Sequence, residues 1–575
     1  MAQTNNKKSL RVAFIHPDLG IGGAERLVVD TALGLQERGH VVSIYTSHHD
    51  PNHCFDETNN GTLQVIHYQP PVFLPRSIQG KFHILFAHLR QLHLTLRLIR
   101  SLNTANPTGA SNKDIDVFFV DQLSTCIPIL RLLTGKRVVF YCHFPDKLLA
   151  TGEAVEDENS PTTAENHTPP RPKMGFLKKI YRLPMDLLEE KTTSNADLIL
   201  VNSLFTSRIF KRYFPSIKLD AQGKRAEPTM DAREGGPRVL YPGINLAAYD
   251  KEKGAKWSTV EQADVSILRC DKPTFVSLNR FESKKNISLA IDAFATCLQR
   301  MKSLPEQQKK LLKNSRLVIA GGYDPRLRDN IDTLNSLLRQ ISNYGLSWCL
   351  LASKTGKKDP PLIPDNAPAQ TPSQDAQIII LPNFSTAQRT ELLTSASTLA
   401  LLYTPSNEHF GIVPVEAMAC GLPVLACNNG GPKESILDDD GMSGRESQEG
   451  TDGWSVVDVT SNRTGWLRPP QKELWADALL EIATLSAAAR GGMADRARAR
   501  AQELFSMEAM SAGIERAIED AKAMGPVKWA EVVSPEWFIW GYIVLVAFSL
   551  FCFGGAWTMA WTAVALGFST LFGFF

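Results

Sequence analysis

Short apolar runs punctuate the chain, and between them hydrophobic residues fall at helical spacing. A first series comprises Leu10–His16 (LRVAFIH), Val41–Ser47 (VVSIYTS), Asp116–Asp121 (DVFFVD), Arg137–His143 (RVVFYCH) and Ala196–Ser203 (ADLILVNS). A second comprises Thr274–Leu278 (TFVSL), Leu317–Gly322 (LVIAGG), Ile378–Leu381 (IIIL), Leu399–Thr404 (LALLYT) and Pro423–Cys427 (PVLAC). Runs this apolar suit strands covered on both faces. Helices are predicted between them, at about 24–37, about 286–300, and from about 473 to 524. Strand alternating with helix predicts α/β architecture of the doubly wound kind.

At 575 residues the chain is too long for one ordinary core and implies at least two domains. Polar insertions rich in Glu, Thr, Asn and Pro interrupt it at 151–172, and similar ones lie near 217–236, 354–376 and 438–453. The net charge of +2 gives no electrostatic reason to expect nucleic acid. Nine scattered cysteines without a C-x-x-C pair favour a reducing compartment over a disulfide framework.

The start reads as a first strand rather than a signal peptide. The other end differs. No Asp, Glu, Lys, Arg or His follows Glu536, and 537–553 and 556–575 are apolar stretches around Gly554-Gly555. Each approaches the roughly 20 residues a membrane span needs. A tight hairpin and one span plus an interfacial segment both fit. Basic amphipathic stretches at 76–100 and 173–191 suit either an anionic membrane surface or packing on the domain.

The densest candidate chemistry lies in residues 399–423, LALLYTPSNEHFGIVPVEAMACGLP. Pro405-Ser406-Asn407 breaks the strand, Pro414 suits the first turn of a helix, and Gly421 with Pro423 suits its end. Glu408 then falls on the loop beyond the strand and Glu416 in the first helical turn. Phe410, Gly411 and Ile412 offer backbone N–H groups to a phosphate. Two carboxylates that can accept sugar hydroxyls, flanking such a cradle, suggest a nucleotide-sugar site. Gly20, Gly22 and Gly23 open the first predicted helix and let backbone approach a ligand. Arg280, Lys284 and Lys285 follow the strand ending at Leu278, where cations can neutralise a diphosphate leaving group. His143, at a strand's carboxyl end, can donate to a sugar hydroxyl or act on a proton. Glu434 follows N-N-G-G-P at another predicted helix start, where an acid suits either a substrate or the helix dipole.

The stretch E-H-F-G-I-V-P-V-E-A-M-A-C-G-L-P resembles the E-x7-E signature of retaining GT-B glycosyltransferases of family 4. G-G-A-E, C-H-F-P-D, R-F-E-S-K-K-N, VLYPGINLAAYD and TGWLRPP resemble further elements of that family. The resemblance implies two Rossmann-like doubly wound domains with an interdomain cleft, plus the apolar membrane segment. Residues 9–243 would form the acceptor-side domain and 244–505 the donor domain. A helix at 506–530 would return toward the first domain, and 537–575 would enter the membrane.

Family roles, carried onto these positions, put Glu408 on the transferred sugar, Glu416 on the ribose, and Arg280 and Lys285 on the diphosphate. Asn383 and Phe384 fall in the loop that contacts the base; Gly22 and Gly23 face the sugar diphosphate. Within the family, the pattern resembles the mannosyltransferases of dolichol-linked oligosaccharide assembly. That implies GDP-mannose as donor, with no cofactor or metal required. It further implies a dolichyl-diphosphate-linked acceptor, α-1,3 and α-1,6 transfers, and neighbouring mannosyltransferases as partners. The expected place is the endoplasmic reticulum membrane with the catalytic domains toward the cytosol. Sequons at Asn166, Asn286 and Asn462 would then stay unmodified. The alternatives are a family-4 enzyme with another donor or lipid acceptor, and a scaffold that kept the fold without turnover.

Overall fold

A computed structural model describes residues 9–78, 82–103, 115–151, 176–220, 222–224, 235–249, 262, 265–303, 305–312, 314–351, 370–372, 375–438 and 462–532. The expected membrane segment at 537–575 lies outside the described residues, as do most of the four polar insertions. No helix among the described residues is long and apolar enough to cross a membrane.

The first sheet holds β1 (Arg11–His16), β2 (Val41–Thr46), β3 (Gln64–His67), β4 (Val117–Asp121), β5 (Arg137–Cys142), β6 (Leu198–Val201) and β7 (Arg238–Val239). Its order is β3-β2-β1-β4-β5-β6-β7, and every pairing is parallel. Alternation along the strands divides the core. Val12, Phe14, Phe119 and Tyr141 pack toward the helices Gly23–Glu37 and Met507–Ala523, while Ala13, Ile15, Phe118 and Phe140 face the opposite layer.

The second sheet holds β8 (Thr274–Leu278), β9 (Arg316–Gly321), β10 (Trp348–Leu350), β11 (Ile378–Pro382), β12 (Thr398–Tyr403), β13 (Val424–Cys427) and β14 (Gly465–Arg468). Its order, β10-β11-β9-β8-β12-β13-β14, is again wholly parallel. Strand order reverses at β1/β4 and at β8/β12. Open α/β sheets hold their ligands in the crevice beyond the carboxyl ends at such points.

Helix Ala487–Phe505 packs under the second sheet, and Met507–Ala523 then returns to the first. The backbone crosses between domains beside itself. Ile244 N–H donates to the Phe505 carbonyl at 2.8 Å, and Met507 N–H donates to the Ile244 carbonyl at 3.2 Å. Beyond the returning helix, Arg137 holds Glu531 at 2.6 Å and Asp197 at 2.7 Å, and Arg131 joins Asp197 at 2.8 Å.

Two expectations change. Helix His83–Asn103 buries Phe86, Leu94 and Leu98, so most of the apolar face predicted within 76–100 is used on the domain. The insertion expected at 217–236 starts later, because Leu219 is buried and Ile199 N–H donates to the Gly223 carbonyl at 2.9 Å.

Candidate active site

On the donor side, the chain leaves β12 at Tyr403, and Thr404 donates to the Lys285 carbonyl at 2.7 Å. This ties the loop after β12 to the short turn Ser283–Lys285 that follows β8. The Lys285 ammonium lies 2.6 Å from Glu408 Oε2. Burial alone would raise the Glu408 pKa, but the charge and hydrogen bond of Lys285 hold it below the ordinary value. An ionised carboxylate beside a cation therefore sits at the switch point of the second sheet.

Gly411 has φ +86, and a side chain there would also press on the Tyr403 ring at 3.1 Å. Its left-handed conformation starts the helix Ile412–Ala419 at Ile412. Glu416 is consequently the fifth helical residue rather than a first-turn residue, which corrects the sequence expectation. Its carboxylate accepts from the Tyr249 hydroxyl at 2.5 Å and from Arg389 at 2.9 Å. Backbone also comes close at the N-N-G-G-P loop, where a Cβ on Gly431 would collide with Phe410.

Arg280 is mostly exposed and pairs with Glu282 at 2.8 Å, and Lys284 joins the same acid at 3.2 Å. Asn383 has φ +52 and clamps Tyr323, accepting from its N–H and donating to its carbonyl, both at 2.8 Å. Its side chain thus shapes the loop expected to meet the base. Phe384 packs on the core beneath. Phe410 is buried between Tyr241 and Phe505.

On the acceptor side, Gly22 caps the helix Gly23–Glu37, and the Glu25 carboxylate folds back against Gly22. This helix start thus brings its own anion. Behind it, His143 Nε2 lies 3.1 Å from Asp121 Oδ2, and His16 Nδ1 lies 2.7 Å from Asp121 Oδ1. Asp121 is buried; burial works against its charge, but His16 and His143 hold its pKa down. Burial likewise opposes the charge on His16, yet Asp121, with Glu25 behind it, lifts its pKa.

The domains meet where these sides face each other. Phe144 stacks on His409 with ring centroids 3.7 Å apart and planes 6° from parallel. Ser203, the N-cap of the helix Leu204–Tyr213, donates to the His409 carbonyl at 2.5 Å. Glu434 accepts from the N–H groups of Leu204 and Phe205, each at 2.6 Å. Glu434 therefore caps a helix of the other domain instead of facing substrate. Burial pushes the His409 pKa down to about 4.

The structure brings Glu408, Lys285 and His143 within electrostatic reach of His409, where the domains meet, and leaves Arg280 mostly exposed. Sequence reasoning missed His16, Asp121, Ser203, His409 and Arg389. A signal existed for two of them: His16 and Asp121 each end an apolar run, which places them on the carboxyl edge with His143. Among the described residues, no group of His, Cys, Asp and Glu is arranged to hold a metal.

Comparison with known proteins adds the lineage. Residues 21–219 match the model for Glycosyltransferase Family 4, and residues 369–448 match Glycosyl transferases group 1. The Alpha-1,3/1,6-mannosyltransferase ALG2 of Rhizomucor pusillus is 41% identical over 527 residues, covering 90% of this chain and 95% of that protein. Its namesake in Saccharomyces cerevisiae is 37% identical over 93% of this chain and 88% of its own length. Among solved structures, sucrose-phosphate synthase from Thermosynechococcus elongatus aligns with a TM-score of 0.55 at 17% identity, over 90% of this chain and 100% of that one. A glycosyltransferase from Rickettsia africae aligns with a TM-score of 0.53 at 13% identity, over 89% and 98%. At such identities these likenesses establish the fold.

Two parallel-sheet domains, with carboxylate, cation and histidine at facing switch points, define a glycosyltransferase of the GT-B type. The full-length likeness then narrows the class: the chain belongs to the ALG2 family of alpha-1,3/1,6-mannosyltransferases.

Proposed function

We propose that this enzyme adds α-1,3- and α-1,6-linked mannose from GDP-mannose to mannosyl-chitobiosyl-diphosphodolichol, retaining the anomeric configuration. The observation that carries this reading is the 41% identity to an ALG2 mannosyltransferase over 90% of this chain. The geometry supplies a route. Lys285, with Arg280 at the rim and N–H groups near Phe410–Ile412, stabilises charge developing on the departing GDP. Glu408 orients the mannose, and Glu416, fixed by Tyr249 and Arg389, orients the ribose. The acceptor hydroxyl attacks from the face the diphosphate leaves and gives its proton to the departing phosphate. Such a front-side displacement requires no protein nucleophile.

Work at the cytosolic face of the endoplasmic reticulum membrane fits a lipid-linked acceptor and the charge-free stretch after Glu536. Removing 537–575 should shift the protein from the membrane pellet to the supernatant on carbonate-free fractionation. Full retention in the pellet would remove that stretch as the anchor. The decisive assay is transfer of radiolabelled mannose from GDP-mannose to a synthetic mannosyl-chitobiosyl-diphosphate lipid, with linkage analysis. Two added α-mannoses, one 1,3 and one 1,6, are expected. Binding and use of another nucleotide sugar, with none from GDP-mannose, would overturn the reading.

A further inference from the structure

Three strands of the first sheet deliver one side chain each to a single buried point. β1 ends in His16, β4 in Asp121, and His143 follows β5. We propose that Asp121 is a positioning residue for transfer: gripped by His16 on one oxygen, it fixes His143 so that Nδ1 accepts a hydrogen bond from a sugar hydroxyl in the cleft. This rests on the transferase reading above.

The argument starts from what a carboxylate can do. Ionised, it only accepts, so each imidazole nitrogen facing it must carry a proton. His143 therefore presents Nε2–H to Asp121 Oδ2, and in the neutral ring Nδ1 is left with a lone pair. The ring is partly open to solvent, and no hydrogen bond to Nδ1 forms among the described residues. Its plane is set further by edge contact with Tyr141 at 4.9 Å and by Asn202, which donates to the His143 carbonyl at 3.0 Å.

His16 has a different task. It is fully buried, so the ring does not reach the cleft. What it does is occupy Asp121 Oδ1 at 2.7 Å. With that oxygen held, the carboxylate cannot rotate, and its second oxygen has one direction left. A buried acid that merely filled space would not need two imidazoles at the sheet's carboxyl edge, one of them open to the cleft. His143 is thereby an acceptor toward substrate, which sets aside the donor role that sequence left open to it.

The test uses the full chain in detergent, labelled with 15N at histidine, with His143→Ala identifying the signal. Two-bond 15N–1H correlations should show wild-type His143 protonated at Nε2. Asp121→Asn should lower kcat by about tenfold or more, as expected when an imidazole loses its oriented tautomer, while KM for GDP-mannose stays within about twofold. His143→Asn, whose amide oxygen can stand near the Nδ1 position, should keep more turnover than His143→Ala. A wild-type ring protonated at Nδ1 would overturn the proposal, whether or not Asp121→Asn folds. So would a folded Asp121→Asn enzyme with kcat within about twofold of wild type. Absence of mannose transfer by the wild type would instead strike the transferase reading, and the ring's protonation would still judge the positioning claim.

Discussion

Glu408 and Lys285 form a matched charge pair at 2.6 Å, so changing either one alters the other. Glu408→Gln keeps the shape and removes the charge that opposes the lysine. Turnover should fall by about 100-fold or more, with the melting temperature nearly unchanged; near-normal turnover in the mannose assay would take Glu408 out of the mechanism. Gly411 carries a different kind of constraint. Gly411→Ala forces a side chain into a left-handed residue against the Tyr403 ring. A loss of about 1–3 kcal/mol in urea-induced unfolding is expected. These residues were legible because their types are unusual at their spacing. Glu416 was misplaced by two helical positions, since sequence shows a proline at 414 but not the backbone conformation of Gly411. Asn383 and Glu434 show a further limit: their partners, Tyr323 and the helix at Leu204, are 60 and 230 residues away. No local pattern encodes such a meeting.

At the level of elements, the strands were the most legible part, because parallel strands buried on both faces are apolar throughout. Helix His83–Asn103 was harder, since a basic amphipathic pattern suits lipid and protein equally. What sequence did not display is how the segment around Glu531 is held. Asp197 neutralises Arg131 and Arg137 at the foot of β5 and β6, and Arg137 also grips Glu531. Asp197→Ala leaves two mostly buried guanidinium groups without that acid. The cost should be about 3–5 kcal/mol, as for breaking other buried ion pairs. Limited proteolysis should then cut near 524–531 sooner than in the wild type. Equal protection would show that the returning helix, rather than the ion network, holds this segment.

The whole molecule closes its cleft through Phe144 on His409, Ser203 on the His409 carbonyl, and Glu434 on the helix at Leu204. His409 has a folded pKa of about 4 against 6.5 for the free group. A depressed value means the contribution is complete above pH 6.5 and is lost as pH falls toward 4. Small-angle scattering should therefore report a more open molecule over that window. His409→Phe, which keeps the ring and cannot titrate, should flatten the change; an identical pH response in that variant would assign the opening elsewhere.

The paired backbone crossings at Ile244 and Phe505–Met507 have a topological consequence. The donor half is an insert, entered and left at one place, while the first strand and the last described segment belong to the other half. A pull applied at residue 532 would therefore act on the acceptor half first. The donor half hangs from two adjacent strands of chain, as a door hangs from one hinge post, so a swing about that post would widen or narrow the cleft without unseating either sheet.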